Sequence, residues 1–207
     1  MLWHSTRVLE PLRVRVYYDF ASSLGYVAHR VMERMAHDLD EFDIVLDWTP
    51  LDLSRITGWP RGAVVDDGRR ANVLRVAREL SVAIRMPVHF VDSRAANALA
   101  LAFTGTDREP AWRERVYSAI HEEGRCIEDA EVLASLARDL GFEIDAASDF
   151  ERLVELERVS LAARAEQVTG VPTFMLGGWP VGGIQEESVM RSLLGRWAEK
   201  TRRAAAN

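Results

Sequence analysis

The residues with the clearest chemical potential lie where a strand gives way to a helix. In Tyr18-Asp19-Phe20-Ala21-Ser22-Ser23-Leu24-Gly25-Tyr26-Val27, an aromatic and β-branched run ends, a short turn follows, and helical spacing begins. The first N–H groups of a helix have no intrahelical acceptor and carry partial positive charge. Such a spot stabilises an anion, including a thiolate from a protein cysteine or from a bound thiol. Ser22 sets its hydroxyl there. Two roles are open to it: donor to a sulfur, or cap of the helix, which is what serine most often does in this position. Ser23 is an equally plausible cap.

A second segment, Thr169-Gly170-Val171-Pro172-Thr173-Phe174, joins a long helical pattern to a strand. Proline is tolerated at the start of an edge strand. Only about 5–6% of X–Pro bonds in folded proteins are cis, so the local reading predicts trans. The Val171 backbone is left to pair with a peptide-like ligand by strand addition. Cys126 is the single cysteine, so no disulfide forms within the chain, and we read it as a packed small residue. The histidines at 4, 29, 37, 89 and 121 lack metal-ligand spacing, so we expect no metal. His89 is read as a half-buried loop residue near a cleft, and Trp59 and Trp179 as packing groups rather than cleft walls.

These residues need a frame to hold them. Residues 13–20 and 42–51 read as strands with a helix to about Leu39 between them, a βαβ start with parallel strands. Residues 54–66 read as a loop. Helical patterns follow at 67–83, 95–103, 110–123, 130–140 and 149–169, with Gly124, Gly141 and Gly170 placed as left-handed C-caps and Ser148 or Asp149 as an N-cap. Strands return at 173–176 and 181–184 around a Gly177-Gly178 hairpin. A terminal helix over 186–202 carries Val189, Leu193, Leu194 and Trp197 on one face, and residues 204–207 are expected to fray. The predicted order is β-α-β, helical insertion, α-β-β-α.

The composition is that of an ordinary globular protein, with 207 residues, 48% hydrophobic and 28% charged, enough for one core. A net charge of −6 argues against nucleic acid or an anionic membrane as partner. Lys200 is the only lysine, a bias we attribute to base composition. No apolar run approaches the ~20 residues needed to span a bilayer, and the N-terminus has no signal-peptide pattern. We therefore expect a cytoplasmic protein.

Nearly the whole chain resembles the DsbA superfamily, especially its cytoplasmic branches: the FrnE-like oxidoreductases, the 2-hydroxychromene-2-carboxylate isomerases and the kappa-class glutathione transferases. The redox branch carries Asp-x-x-Cys-Pro-Trp-Cys-Tyr where this chain has Asp19 to Tyr26, so both cysteine positions are changed, to Ser22 and Gly25. The isomerase and kappa branches carry Asp-Phe-x-Ser-Pro-x-x-Tyr-x-Ala, which Asp19 to Ala28 matches except for Ser23. The segment from Gly170 to Phe174 resembles the family's cis-proline strand, residues 124–133 resemble Gly-Arg-Asp-Ile-x-Asp-x-x-Val-Leu with Cys126 at the aspartate, and Gly183-Ile184-Gln185 resembles the FrnE-like Gly-Ala-Gln. Asn97 resembles an asparagine near the isomerase cleft.

The resemblance implies an α/β thioredoxin fold with a large all-helical insertion. Residues 1–52 and 150–207 would form the thioredoxin-like lobe and 53–149 the inserted lobe, in one compact unit with a cleft between lobes. It implies that Ser22 hydrogen-bonds the sulfur of glutathione or another low-molecular-weight thiol. Ser23, Asn97, Val171, Pro172, Ile184 and Gln185 would form the rest of the cofactor site. Gln185 lacks the charge of the aspartate that often holds the γ-glutamyl amine in the isomerase branch. The function expected is isomerisation or transfer on a small electrophilic substrate, with a homodimer as the possible assembly. The alternative is a non-catalytic module that binds a peptide or partner. Disulfide exchange ranks third, because the dithiol is missing.

Overall fold

The computed structural model describes residues 10–144 and 149–206. His4, Ser148 and Asn207 lie outside them. Four strands form one sheet in the order β2-β1-β3-β4, built from β1 (Leu12–Tyr18), β2 (Ile44–Pro50), β3 (Thr173–Leu176) and β4 (Trp179–Gly182). β1 pairs parallel with β2, Val16 opposite Trp48, and antiparallel with β3, Val16 opposite Phe174. β1 alternates in the manner of a sheet with two covered faces. Val14, Val16 and Tyr18 join Phe174 and Leu176 in the main core, while Tyr17 and Met175 point the other way into a smaller cluster with Leu51, Leu53, Ala163 and Val168.

Between β1 and β2 lie α1 (Ser23–Arg34) and α2 (Ala36–Glu41). The single helix expected to Leu39 is interrupted at Met35, whose ψ of 9° leaves the helical range. After β2 come α3 (Leu53–Thr57), α4 (Asp67–Glu79), α5 (Arg94–Phe103), α6 (Arg108–Ser118), a π-helical turn (Ala119–Glu123), α7 (Ala130–Asp139) and α8 (Asp149–Ala165). α5 packs on α8 and β2, and α3 on α8, so the helical block is seated on the sheet. α9 (Glu187–Ala206) closes the chain. This is the expected thioredoxin fold with a large helical insertion.

Several local readings change. α3 replaces the start of the expected loop, because Asp52 caps it through Ser54 N (3.1 Å) and Gly58 ends it at φ 72°. β4 begins at Trp179, because the two-residue Gly177-Gly178 turn, both at positive φ, pairs Leu176 with Trp179 as a tight hairpin requires. Pro180 is tolerated there on an edge strand. β3 lies between β1 and β4, not at an edge. The left-handed residue ending α8 is Gln167 (φ 64°), not Gly170. α9 continues through residues 204–206, and its buried stripe is Met190, Leu194 and Ala198, with Val189 exposed. Cys126 is exposed rather than packed. No helix of the described residues is long and apolar enough to cross a membrane.

Candidate active site

The turn after β1 is organised by one buried carboxylate. Asp19 accepts from Ala21 N (2.8 Å) and from the Ser93 hydroxyl through Oδ1, and from Leu53 N (2.7 Å) through Oδ2. Burial pushes its pKa up, and these donors pull against that. The Asp19 carbonyl accepts from Ser22 N (2.9 Å) and the Tyr117 hydroxyl (3.3 Å). One residue thus ties the start of α1 to α3, α5 and α6.

Ser22, rather than Ser23, is the cap of α1. Its Oγ accepts from Gly25 N (3.1 Å) and its hydroxyl donates to the Val171 carbonyl at 3.3 Å. The N–H groups of Ser23 and Leu24 find no acceptor among the described residues. Gly25 is where α1 meets α6. A Cβ there would stand 2.7 Å from the Tyr117 hydroxyl and 3.3 Å from Ser22 Cβ. The Val171–Pro172 bond is cis, as the resemblance to the cis-proline strand implies and against the local statistics.

A cavity of about 290 Å³ opens at this helix start, near the lower end for small-molecule sites. Ser22, Ser23, Leu24 and the Thr169–Val171 backbone line one end. The opposite wall comes from the insertion, where Trp59 and Phe90 lie with ring centres 4.9 Å apart and Arg69 covers the Trp59 ring at 3.5 Å. Met86, Pro87 and His89 complete that side. Trp59 and His89 are therefore wall residues, against expectation, whereas Trp179 is 78% exposed and away from the cavity.

Of the expected site residues, Ser22, Ser23 and Val171 come together on the cavity. Four do not line it. Asn97 is fully buried: its amide donates to Leu51 O (2.9 Å) and Ser93 Oγ (3.2 Å), and its Oδ1 accepts from Phe20 N (3.3 Å), which leaves no polar atom for a ligand. The Pro172 carbonyl takes Gly183 N (2.8 Å), Ile184 packs in the core, and Gln185 is exposed elsewhere. Arg69 and Phe90 carried no motif. Their only sequence signal was membership of the region facing the expected cleft.

Beneath the turn, Tyr18, Phe20, Tyr26, Tyr117 and His121 form a ring cluster, with His121 stacked on Tyr26 at 4.9 Å. Burial pushes the His121 pKa down to about 4, so the ring is neutral near pH 7. His29, Glu33 and Glu114 converge closely enough for a metal. They are instead joined to guanidinium groups: Arg30 spans both Glu114 oxygens (2.8 Å each), and Arg113 donates to His29 Nδ1 (2.9 Å). Two cations within the cluster oppose a third.

A sequence model of the DSBA-like thioredoxin domain matches residues 13–195. No curated protein matches the chain. Among solved structures, a 2-hydroxychromene-2-carboxylate isomerase is 20% identical, with a TM-score of 0.71 over 94% of this chain and 98% of that one. A probable DsbA oxidoreductase from Streptomyces coelicolor is also 20% identical, with a TM-score of 0.70 over 90% and 89%. The cytosolic disulfide reductase DsbM from Pseudomonas aeruginosa, solved with GSH, is 19% identical, with a TM-score of 0.64 over 95% and 100%. At these identities the likeness carries the fold alone.

Proposed function

The chain belongs to the DSBA-like thioredoxin family, and from that premise we propose that it is a thiol-dependent isomerase or transferase acting on a small electrophilic organic molecule. The observation that carries this reading is the arrangement at Ser22. Ser22, with its hydroxyl, and Ser23 and Leu24, whose N–H groups have no acceptor among the described residues, line a cavity where the family's redox branch would place a nucleophilic cysteine. With one cysteine in the sequence, and that one lining a different pocket, an intrachain dithiol is impossible.

The residues fit the sulfur end of a bound thiol. The Ser22 hydroxyl proton is held only by a 3.3 Å contact to Val171 O, so a stronger acceptor can take it. The N–H groups of Ser23 and Leu24, at the positive end of α1, favour the deprotonated form of a sulfur placed there. Glutathione or another low-molecular-weight thiol, when bound, would supply the nucleophile that adds reversibly to electrophilic carbon. The apolar side chains of Trp59, Phe90 and Met86 give the electrophile a surface to pack against. Among the described residues lining the cavity there is no Asp or Glu, so no carboxylate there pairs an ammonium group. That leaves the identity of the thiol open to experiment.

The test is thermal stability of the reduced protein with millimolar glutathione and with other small thiols. A thiol at one hundred times its Kd should stabilise by about 2.7 kcal/mol, and Ser22→Ala should abolish the shift. Turnover of an electrophile should require added thiol. If no thiol shifts the melting temperature, the enzyme reading is wrong and the partner-binding alternative takes its place.

A further inference from the structure

From the far wall of the same cavity we infer an oxyanion anchor: Arg69, lying over the Trp59 ring, takes a carboxylate or similar group of the molecule that occupies the site. This deepens the thiol-dependent reading and rests on it for the chemistry, but the binding claim can be tested without any thiol.

Charge comes first. Among the described residues lining the cavity, Arg69 alone carries a fixed charge. Its one ion-pair partner among the described residues, Asp66, sits 3.3 Å away with a side chain 64% exposed. The other Asp66 oxygen is committed to capping α4 through Arg69 N (2.9 Å). A pair this exposed is screened by water and holds the guanidinium weakly. An anion inside the cavity would meet the same cation with less water around it.

Geometry comes next. The guanidinium carbon lies 3.5 Å from the Trp59 ring centre and 5.2 Å from that of Phe90. Stacking uses the faces of the group and leaves its N–H edges for a planar oxyanion, which it can grip with two parallel hydrogen bonds. The wall is built rather than accidental. Gly62 N donates to Phe90 O (2.7 Å), Phe90 N to Ala63 O (2.9 Å) and Val65 N to Val88 O (2.9 Å), so the loop after Trp59 and the segment carrying Phe90 form a short antiparallel ribbon. Phe90 is held on this ribbon and Trp59 lies just before it; their rings, tilted by 37° to each other, form the apolar part of the wall, and the cation over Trp59 orients an anionic edge.

The carboxylate could come from the thiol or from the second ligand, so the experiment separates them. Titration calorimetry would use cinnamate and neutral cinnamamide as flat probes, and glutathione and cysteamine as thiols with and without carboxylates. The proteins would be wild type, Arg69→Met and Arg69→Lys. Because Arg69 is partly exposed at the end of its own helix, both variants should keep the parent melting temperature. We expect cinnamate to bind roughly 10- to 100-fold tighter than cinnamamide, the range for a charge-assisted pair. Arg69→Met should erase that preference and Arg69→Lys should restore part of it. If the second ligand supplies the group, cinnamate still binds at saturating glutathione and only its affinity falls in Arg69→Met. If the thiol supplies it, cinnamate competes with glutathione, and Arg69→Met weakens glutathione but not cysteamine. The anchor is refuted if Arg69→Met leaves cinnamate and glutathione within two-fold of wild type, or if wild type binds neither. Loss of the Ser22→Ala effect on thiols would instead remove the thiol reading and leave the anchor standing.

Discussion

Replacing Gly25 by alanine should destabilise this protein, although the same change inside most helices does the reverse. Gly→Ala in a helix interior ordinarily gains about 0.5–1 kcal/mol. Here the new Cβ would stand 2.7 Å from the Tyr117 hydroxyl oxygen, well inside van der Waals contact. Tyr117 cannot swing aside cheaply. It is fully buried, with ring centres of Phe20 at 5.0 Å, His29 at 5.4 Å and Tyr26 at 5.9 Å. Overpacking of this kind costs about 1–3 kcal/mol, and displacing the hydroxyl also threatens its bond to Asp19 O (3.3 Å), worth about 1 kcal/mol. The net expectation is a loss of about 1–3 kcal/mol. Tyr117→Phe removes the obstructing oxygen, so the two changes should couple by at least about 1 kcal/mol in a double-mutant cycle. Urea unfolding followed by tryptophan fluorescence measures all four corners. A stabilised Gly25→Ala single variant, or additive effects, would refute the reasoning. The same geometry bears on chemistry, because Gly25 stands where the redox branch has its second cysteine. The Ser22→Cys/Gly25→Cys variant should therefore be destabilised and slow in insulin reduction, and adding Tyr117→Phe should improve both.

Other expectations follow from single contacts. Ser22→Ala removes the acceptor of Gly25 N and should lower stability by about 1 kcal/mol, the ordinary cost of a lost N-cap, read as a fall in the urea midpoint. Asp19→Asn leaves a donor facing donors at Ala21 N, Leu53 N or Ser93. It should cost roughly 2 kcal/mol or more, and a variant as stable as wild type would show that Asp19 does not organise the turn. His121 is held neutral, with its pKa lowered to about 4 from 6.5. The unfolded chain then binds the extra proton first, so stability falls as pH drops from about 6.5 towards 4, by up to about 3 kcal/mol, and then levels off. His121→Phe should flatten the pH dependence in that window, and an unchanged slope would place it on other groups.

The fold was legible in the sequence because it rests on local signals. The alternation of Val14 and Val16, the Gly177-Gly178 turn and the apolar spacing of the helices follow from backbone geometry and side-chain direction within a few residues. A serine cap at the start of α1 was legible for the same reason, though the sequence left Ser22 and Ser23 both open and the structure chose Ser22. The spacing of the helical patterns also gave the insertion, and resemblance to family motifs supplied the expected cysteine positions. What tertiary structure decided was the far half of the cavity and the fate of the remaining motif residues. Asn97 matched a cleft residue in type and place, yet its three polar contacts go to Phe20, Leu51 and Ser93, a choice made by how α5 sits on the sheet. Arg69, Trp59 and Phe90 lie 10 to 31 residues apart on a helix and two loops, with no period linking them. Nothing local announces that a guanidinium will stack on a particular ring, because that contact exists only once the loops pair. At Pro172 local statistics favour trans, while the family resemblance implied cis and the packed chain holds it cis. Sequence determined which elements form and which polar groups they leave unsatisfied. Packing between elements distant along the chain decided which of those groups face a ligand, since burial depends on neighbours that short-range spacing does not encode.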